Sequence, residues 1–94
     1  MIKEPGKAPV VEPLFDNTLE AFQKAVEGYI ETYMLSPEIT VICNEEGKLK
    51  GLPYNLTIGF EDFVGTIIVA GVKGDEFASL RAAAIPFVRT LLGG

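Results

Sequence analysis

The segment Val64-Gly65-Thr66-Ile67-Ile68-Val69-Ala70-Gly71-Val72 is the most hydrophobic run of the chain and is rich in β-branched residues. Nine residues are too few for a helix crossing a domain, whereas Val and Ile suit a strand buried on both faces, so the run predicts a central strand. With 94 residues there is room for one core only, so a single domain over 1–94 is expected to gather around that strand. Nearly half of the residues, 48%, are hydrophobic, a high share for so small an interior. Part of that surface is therefore expected in a subunit interface or a ligand groove, which points to a homo-oligomer.

The remaining elements follow from periodicity and breakers. Met1 to Lys3 reads as a short strand broken at Glu4-Pro5-Gly6-Lys7, and Val10 to Phe15 as a second strand that Pro13 confines to a sheet edge. Asn17 and Glu20 have the spacing of a capping box. Leu19, Phe22, Val26 and Ile30 lie close to helical spacing, predicting a helix from Thr18 to Glu27 with Gly28 as its C′ stop. Tyr29 to Leu35 and Ile39 to Cys43 are β-rich and flank the turn residues Ser36-Pro37-Glu38, so they predict a hairpin. Asp75 to Leu92 is rich in Ala and Leu and reads as helical, with a break that places Pro86 in the first turn of the last helix. The expected class is α+β, a small mixed and mainly antiparallel sheet packed by one helix, plus a C-terminal helix.

Charge and composition exclude several functions. A net charge of −5 argues against nucleic-acid backbones as partners, because nonspecific binding to phosphates needs a basic face. A small anion remains compatible, since two or three convergent cations can hold it locally. Cys43 is the only cysteine; it forms no intramolecular disulfide and, beside Val41 and Ile42, reads as a buried strand thiol of a cytoplasmic protein. Lys3, Glu4 and Pro5 occupy the place of a signal-peptide core, and no run approaches the roughly 20 apolar residues that span a bilayer, so no membrane partner is expected.

The chain has no histidine, which removes Ser-His-Asp, Cys-His and His-ligated metal chemistry. Gly47-Lys48 is followed by Leu49 and does not form a P-loop, so nucleotide triphosphate hydrolysis has no support. The pairs Glu45-Glu46, Glu61-Asp62 and Asp75-Glu76 read as solvated turn residues. Arg81 and Arg89, on the C-terminal helical region, read as covering a dipole end or a subunit seam. No catalytic residue, metal or cofactor is assigned, and the chain is expected not to be an enzyme.

The candidate ligand-binding residues lie between Val41 and Asn55. In an extended segment Lys48 and Lys50 would share one side, Asn44 and Asn55 would add amide donors and acceptors, and Tyr54 would stack on a ring. Gly47 and Gly51 would let backbone N–H groups approach. The competing interpretation is a solvated turn with surface lysines and an inward Leu52.

Asn17-Thr18-Leu19-Glu20-Ala21, Val26-Glu27-Gly28-Tyr29-Ile30-Glu31, Cys43-Asn44-Glu45-Glu46-Gly47-Lys48-Leu49 with Gly51-Leu52-Pro53-Asn55, and Val64-Gly65-Thr66 leading into Val69-Ala70-Gly71 together resemble the domain-of-unknown-function 3846 family. Two stretches depart from its usual pattern: the first strand is shortened to Met1–Lys3, and Ala82-Ala83-Ala84-Ile85-Pro86 replaces an acidic C-terminal helix. The resemblance implies a setting among small proteins of phages and mobile elements that counter host defence stoichiometrically. Two functions are then expected in turn. One is sequestration of a small anionic, nucleotide-type signalling molecule at a subunit seam; the other is an adaptor or inhibitor that blocks a host protein. Ala82 to Ala84, Phe87, Val88 and Leu91 are the residues expected at the seam.

Overall fold

The computed structural model describes residues 1–11 and 18–93. The apolar run is divided by Gly65, whose φ of 71° is open to glycine without penalty, and whose missing Cβ leaves room for Leu52 Cδ1. Val64 therefore closes one strand, β5 (Glu61–Val64), and the central strand β6 begins only at Ile67 (Ile67–Lys73). This corrects the expectation of one unbroken strand from Val64.

Strand β6 lies between two neighbours. On one side it pairs antiparallel with β3 (Ile39–Asn44), in the register Val41↔Val69 and Ile42↔Ile68. Its other side is shared: β1 (Ile2–Lys3) pairs with Ile67 and Ile68, and β7 (Glu76–Ala78) pairs with Gly71 to Lys73. Met1 also bonds Val69 through both backbone groups, at 2.7 and 2.8 Å. The expected hairpin is present: β2 (Ile30–Ser36) pairs antiparallel with β3 and forms the far edge, with a bulge between Met34 and Ser36. A separate two-stranded sheet joins β4 (Tyr54–Ile58) to β5.

Alternation along β3 and β6 builds a core on each sheet face. Val41, Ile67 and Val69 point to one side, where Met1, Ile58 and Phe63 join Val88 of the C-terminal helix α2 (Ile85–Leu91) and Leu92. Ile42, Ile68 and Ala70 point to the other, beneath Phe22 of α1 (Leu19–Val26). Phe22 meets Phe77 of β7 edge to face, with centroids 5.1 Å apart. The α+β, mainly antiparallel architecture is as expected.

The helix ends differ in detail. Thr18 caps α1, its Oγ1 accepting from Ala21 N–H at 3.2 Å; Asn17 of the expected capping box lies outside the described residues. At the other end the left-handed C′ residue is Glu27, with φ 65°, and Gly28 N–H closes the motif onto Gln23 C=O at 2.9 Å. The helix thus stops at Glu27, one position before the expected Gly28. Of the expected strand from Val10 to Phe15, residues 12–15 lie outside the described part, while Val10 forms an antiparallel bridge to Ile2. The segment expected to be helical from Asp75 opens instead with β7, because Gly74, with φ 63°, turns the chain back to pair Glu76–Ala78 with β6. A 3-10 turn at Ala82–Ala84 then leads into α2, with Pro86 in its first turn as anticipated.

Candidate functional site

The loop after β3 curls. Gly51 N–H bonds Lys48 C=O, Lys50 N–H bonds Glu46 C=O and Leu52 N–H bonds Gly47 C=O, at 2.9 to 3.2 Å. Helical turning rotates successive residues by about 100°, so Lys48 and Lys50 diverge rather than share a side. Lys48 Nζ lies 3.4 Å from Glu61 Oε1 on the β4–β5 hairpin. Lys50 Nζ lies over Gly28, 3.0 Å from where a Cβ would stand. The expectation of two lysines on one side assumed an extended backbone and does not survive the turn.

The two asparagines are buried and serve the fold. Asn44 Nδ2 donates to Val26 C=O at the end of α1, at 3.0 Å, and its Oδ1 accepts from Glu46 N–H at 2.8 Å. Asn55 Nδ2 donates to the carbonyls of Lys3 and Gly65, both at 2.8 Å, and its Oδ1 accepts from Lys3 Nζ at 3.0 Å. Tyr54 is largely exposed, and its hydroxyl donates to Thr57 Oγ1, which donates in turn to Asp62 Oδ1, both at 2.6 Å. The five residues therefore do not converge on one point.

The hollow beside this loop, about 250 Å³, is acidic. Glu31, Glu45, Glu61 and Asp62 line it against Lys48 alone. Burial, reinforced by the Glu31 and Glu61 carboxylates and opposed by Lys48, pushes the Cys43 thiol up to about 11. A protonated thiol there is a poor nucleophile, and the surrounding field repels an anion. Among the described residues no group of three or more His, Cys, Asp or Glu side chains is placed to hold a metal ion.

A larger groove, about 590 Å³, opens at the opposite end of β3, where the chain leaves β7 and enters α2. Ile39, Val72, Leu80, Ala84 and Phe87 form an apolar wall, and Lys73, Arg81 and Glu38 stand among the lining residues. Two cations face one carboxylate, the reverse of the balance at the loop. Arg81 Nη1 lies 3.5 Å from Glu38 Oε2, with both side chains mostly exposed. Such a pair contributes about 0 to 1 kcal/mol, whereas a charge-assisted bond to a ligand contributes about 1.5 to 3 kcal/mol, so Arg81 can re-pair at small cost.

Sequence reasoning considered Arg81 for a dipole end or a seam, and Phe87 for a seam. The groove arises from the strand at Glu76–Ala78, which had been expected to be helix, so no local pattern announced it.

The family model described as Domain of unknown function (DUF3846) matches residues 1–91, spanning the loop, the groove and both helices. The chain belongs to this family. Comparison with curated proteins and with solved structures finds no match. Among the described residues of this DUF3846 chain no helix is long and apolar enough to cross a membrane. What this DUF3846 chain offers chemically is an apolar-walled groove with two cations, at the other end of β3 from a loop whose polar side chains are largely engaged within the protein.

Proposed function

We propose that this chain is a non-catalytic binding protein that sequesters a small anionic, nucleotide-type molecule, acting in the setting of a phage or mobile element against a host signal. The observation that carries the reading is the groove between β7 and α2, whose volume falls within the 300 to 1,000 Å³ typical of small-molecule sites. Phe87 and Val72 suit the face of a base or ribose, and Lys73 and Arg81 suit a phosphate. The proposed site thus moves from the loop at Asn44 to Asn55 toward the C-terminal helix, because an anion at the loop would meet four carboxylates. A sequence without histidine and a thiol held protonated support binding without turnover.

The test is calorimetric titration with cyclic dinucleotides, cyclic oligonucleotides and ADP-ribose derivatives, followed by chromatography of the recovered ligand. Arg81→Ala is expected to weaken binding by roughly ten- to hundredfold, Phe87→Ala to weaken it too, and Lys48→Ala to leave it unchanged. Ligand should be recovered intact. Loss with Lys48→Ala but not Arg81→Ala would return the site to the loop, and a degraded ligand would make the protein an enzyme. Silence across the panel would favour the second reading, an adaptor that blocks a host protein. That reading draws on Leu49 and Phe60, highly exposed apolar side chains adjacent to the Lys48–Glu61 contact.

A further inference from the structure

Among the described residues the main sheet has one long open edge. On the β6 side the outer strands are short, two residues in β1 and three in β7. At the other end β2 runs for seven residues, Ile30-Glu31-Thr32-Tyr33-Met34-Leu35-Ser36, and no described residue pairs with its outer side. Edge strands are ordinarily protected by lysine, proline or a central bulge. This strand has no lysine and no proline, and its bulge sits at the end, past Met34.

The direction of its backbone groups can be read from its partners. Tyr29 C=O accepts from Glu45 N–H, and the carbonyls of Glu31 and Tyr33 accept from Cys43 Sγ and Thr40 Oγ1, so the odd residues face β3. Ile30, Thr32 and Met34 therefore turn their N–H and C=O groups outward.

We infer that this edge pairs antiparallel with the β2 of a second copy of the chain, about a twofold axis at Thr32. In that register all three outward residues are opposed to outward residues: Thr32 faces itself and Ile30 faces Met34 in both directions, closing a ladder of about six backbone bonds. Side chains agree with it. Glu31, the strand's one charge, comes opposite Tyr33 of the other copy, whereas a shift by one pair toward Ile30 would set Glu31 against Glu31. Met34 and Ile30, exposed and half-buried in one chain, become direct cross-strand neighbours. The pairing joins two five-stranded sheets into one and uses no residue that lines the groove between β7 and α2, so it does not rest on what that groove binds. It also moves the expected seam from Ala82–Ala84 and Phe87 to the opposite edge of the sheet.

Sedimentation at tens of micromolar should show a dimer, and Thr32→Pro, which removes an outward N–H that a monomer does not use, should give a folded monomer. A second measurement does not depend on that variant folding. Opposed residues at hydrogen-bonded positions have Cα atoms about 5.5 Å apart, within disulfide reach. Thr32→Cys in a Cys43→Ala background should therefore form a covalent dimer on oxidation, and Phe87→Cys in the same background should not. A monomeric wild type, or a dimer that Thr32→Cys fails to cross-link, would overturn the inference.

Discussion

Lys3 and Asn55, 52 positions apart, exchange hydrogen bonds in both directions: Lys3 Nζ donates to Asn55 Oδ1 at 3.0 Å, and Asn55 Nδ2 donates to the Lys3 carbonyl at 2.8 Å. Both side chains are buried, and the second hydrogen of the amide reaches Gly65 C=O. One amide thus links β1, the β4–β5 hairpin and the turn that starts β6.

Removing that amide should be among the more damaging polar changes. Asn55→Ala leaves a buried ammonium with one acceptor fewer and two carbonyls without their donor, at about 1 to 3 kcal/mol per stranded group. A net loss of about 3 kcal/mol is expected, lowering Tm by about 12 to 24 °C in a domain of this size. Thermal melts followed by circular dichroism check it; a shift of only a few degrees would show the network to be dispensable.

Gly28→Ala should destabilise although the residue needs no left-handed conformation. A Cβ there would stand 2.6 Å from Asn44 Nδ2, forcing the amide away from Val26 C=O and loosening both the end of α1 and the loop. A cost of about 1 to 3 kcal/mol is expected from the stranded groups. In an Asn44→Ala background the same substitution should cost much less, since its clash is with the amide. A double-mutant cycle by urea unfolding measures that coupling, and additive effects would refute it.

Cys43 predicts a pH dependence. Its thiol ionises near 9.0 in the unfolded chain and near 11 in the folded one, so between those values the native state holds a proton that the unfolded state has released. The native state binding more protons makes stability fall as pH rises; the contribution is complete below pH 9 and is lost through about 11. Cys43→Ala should flatten that part of the profile. Native protein at pH 8 should also react with iodoacetamide more slowly than in denaturant, and equal rates would contradict the half-buried, carboxylate-flanked environment.

Ile68→Asp should unfold the protein. Ile68 is buried in the core beneath α1 and pairs with Ile2 on one side and Ile42 on the other. An unpaired carboxylate there costs several kcal/mol against a total stability of about 5 to 15 kcal/mol. A soluble variant with a cooperative melt would show that the core tolerates the charge.

The parts of the fold legible in the residues are those governed by short-range rules. A short continuous apolar run rich in β-branched residues marked β6, the Ser36-Pro37-Glu38 turn marked the β2–β3 hairpin, and Pro86 marked the start of α2. The reading failed where a neighbour distant in sequence overrode local preference. Glu76-Phe77-Ala78 became a strand because the edge of β6 offered it hydrogen bonds and Phe22 offered a ring to pack on. The hairpin from Tyr54 to Val64 was not assigned at all, although its Ile58 and Phe63 close one core.

The candidate site shows the same division. Residue types at Asn44, Lys48, Lys50, Tyr54 and Asn55 are sufficient for an anion site in principle, and chain order shows that they lie close together, that no histidine accompanies them, and that the class is α+β. Tertiary structure alone decided where each side chain points. The reason is that a buried amide must find partners or cost free energy, and for Asn44 and Asn55 those partners, Val26, Lys3 and Gly65, belong to other elements that only folding brings within 3.0 Å. Whether a polar residue near a loop serves a ligand or the fold is thus set by which unsatisfied groups arrive beside it, and chain order does not encode that locally.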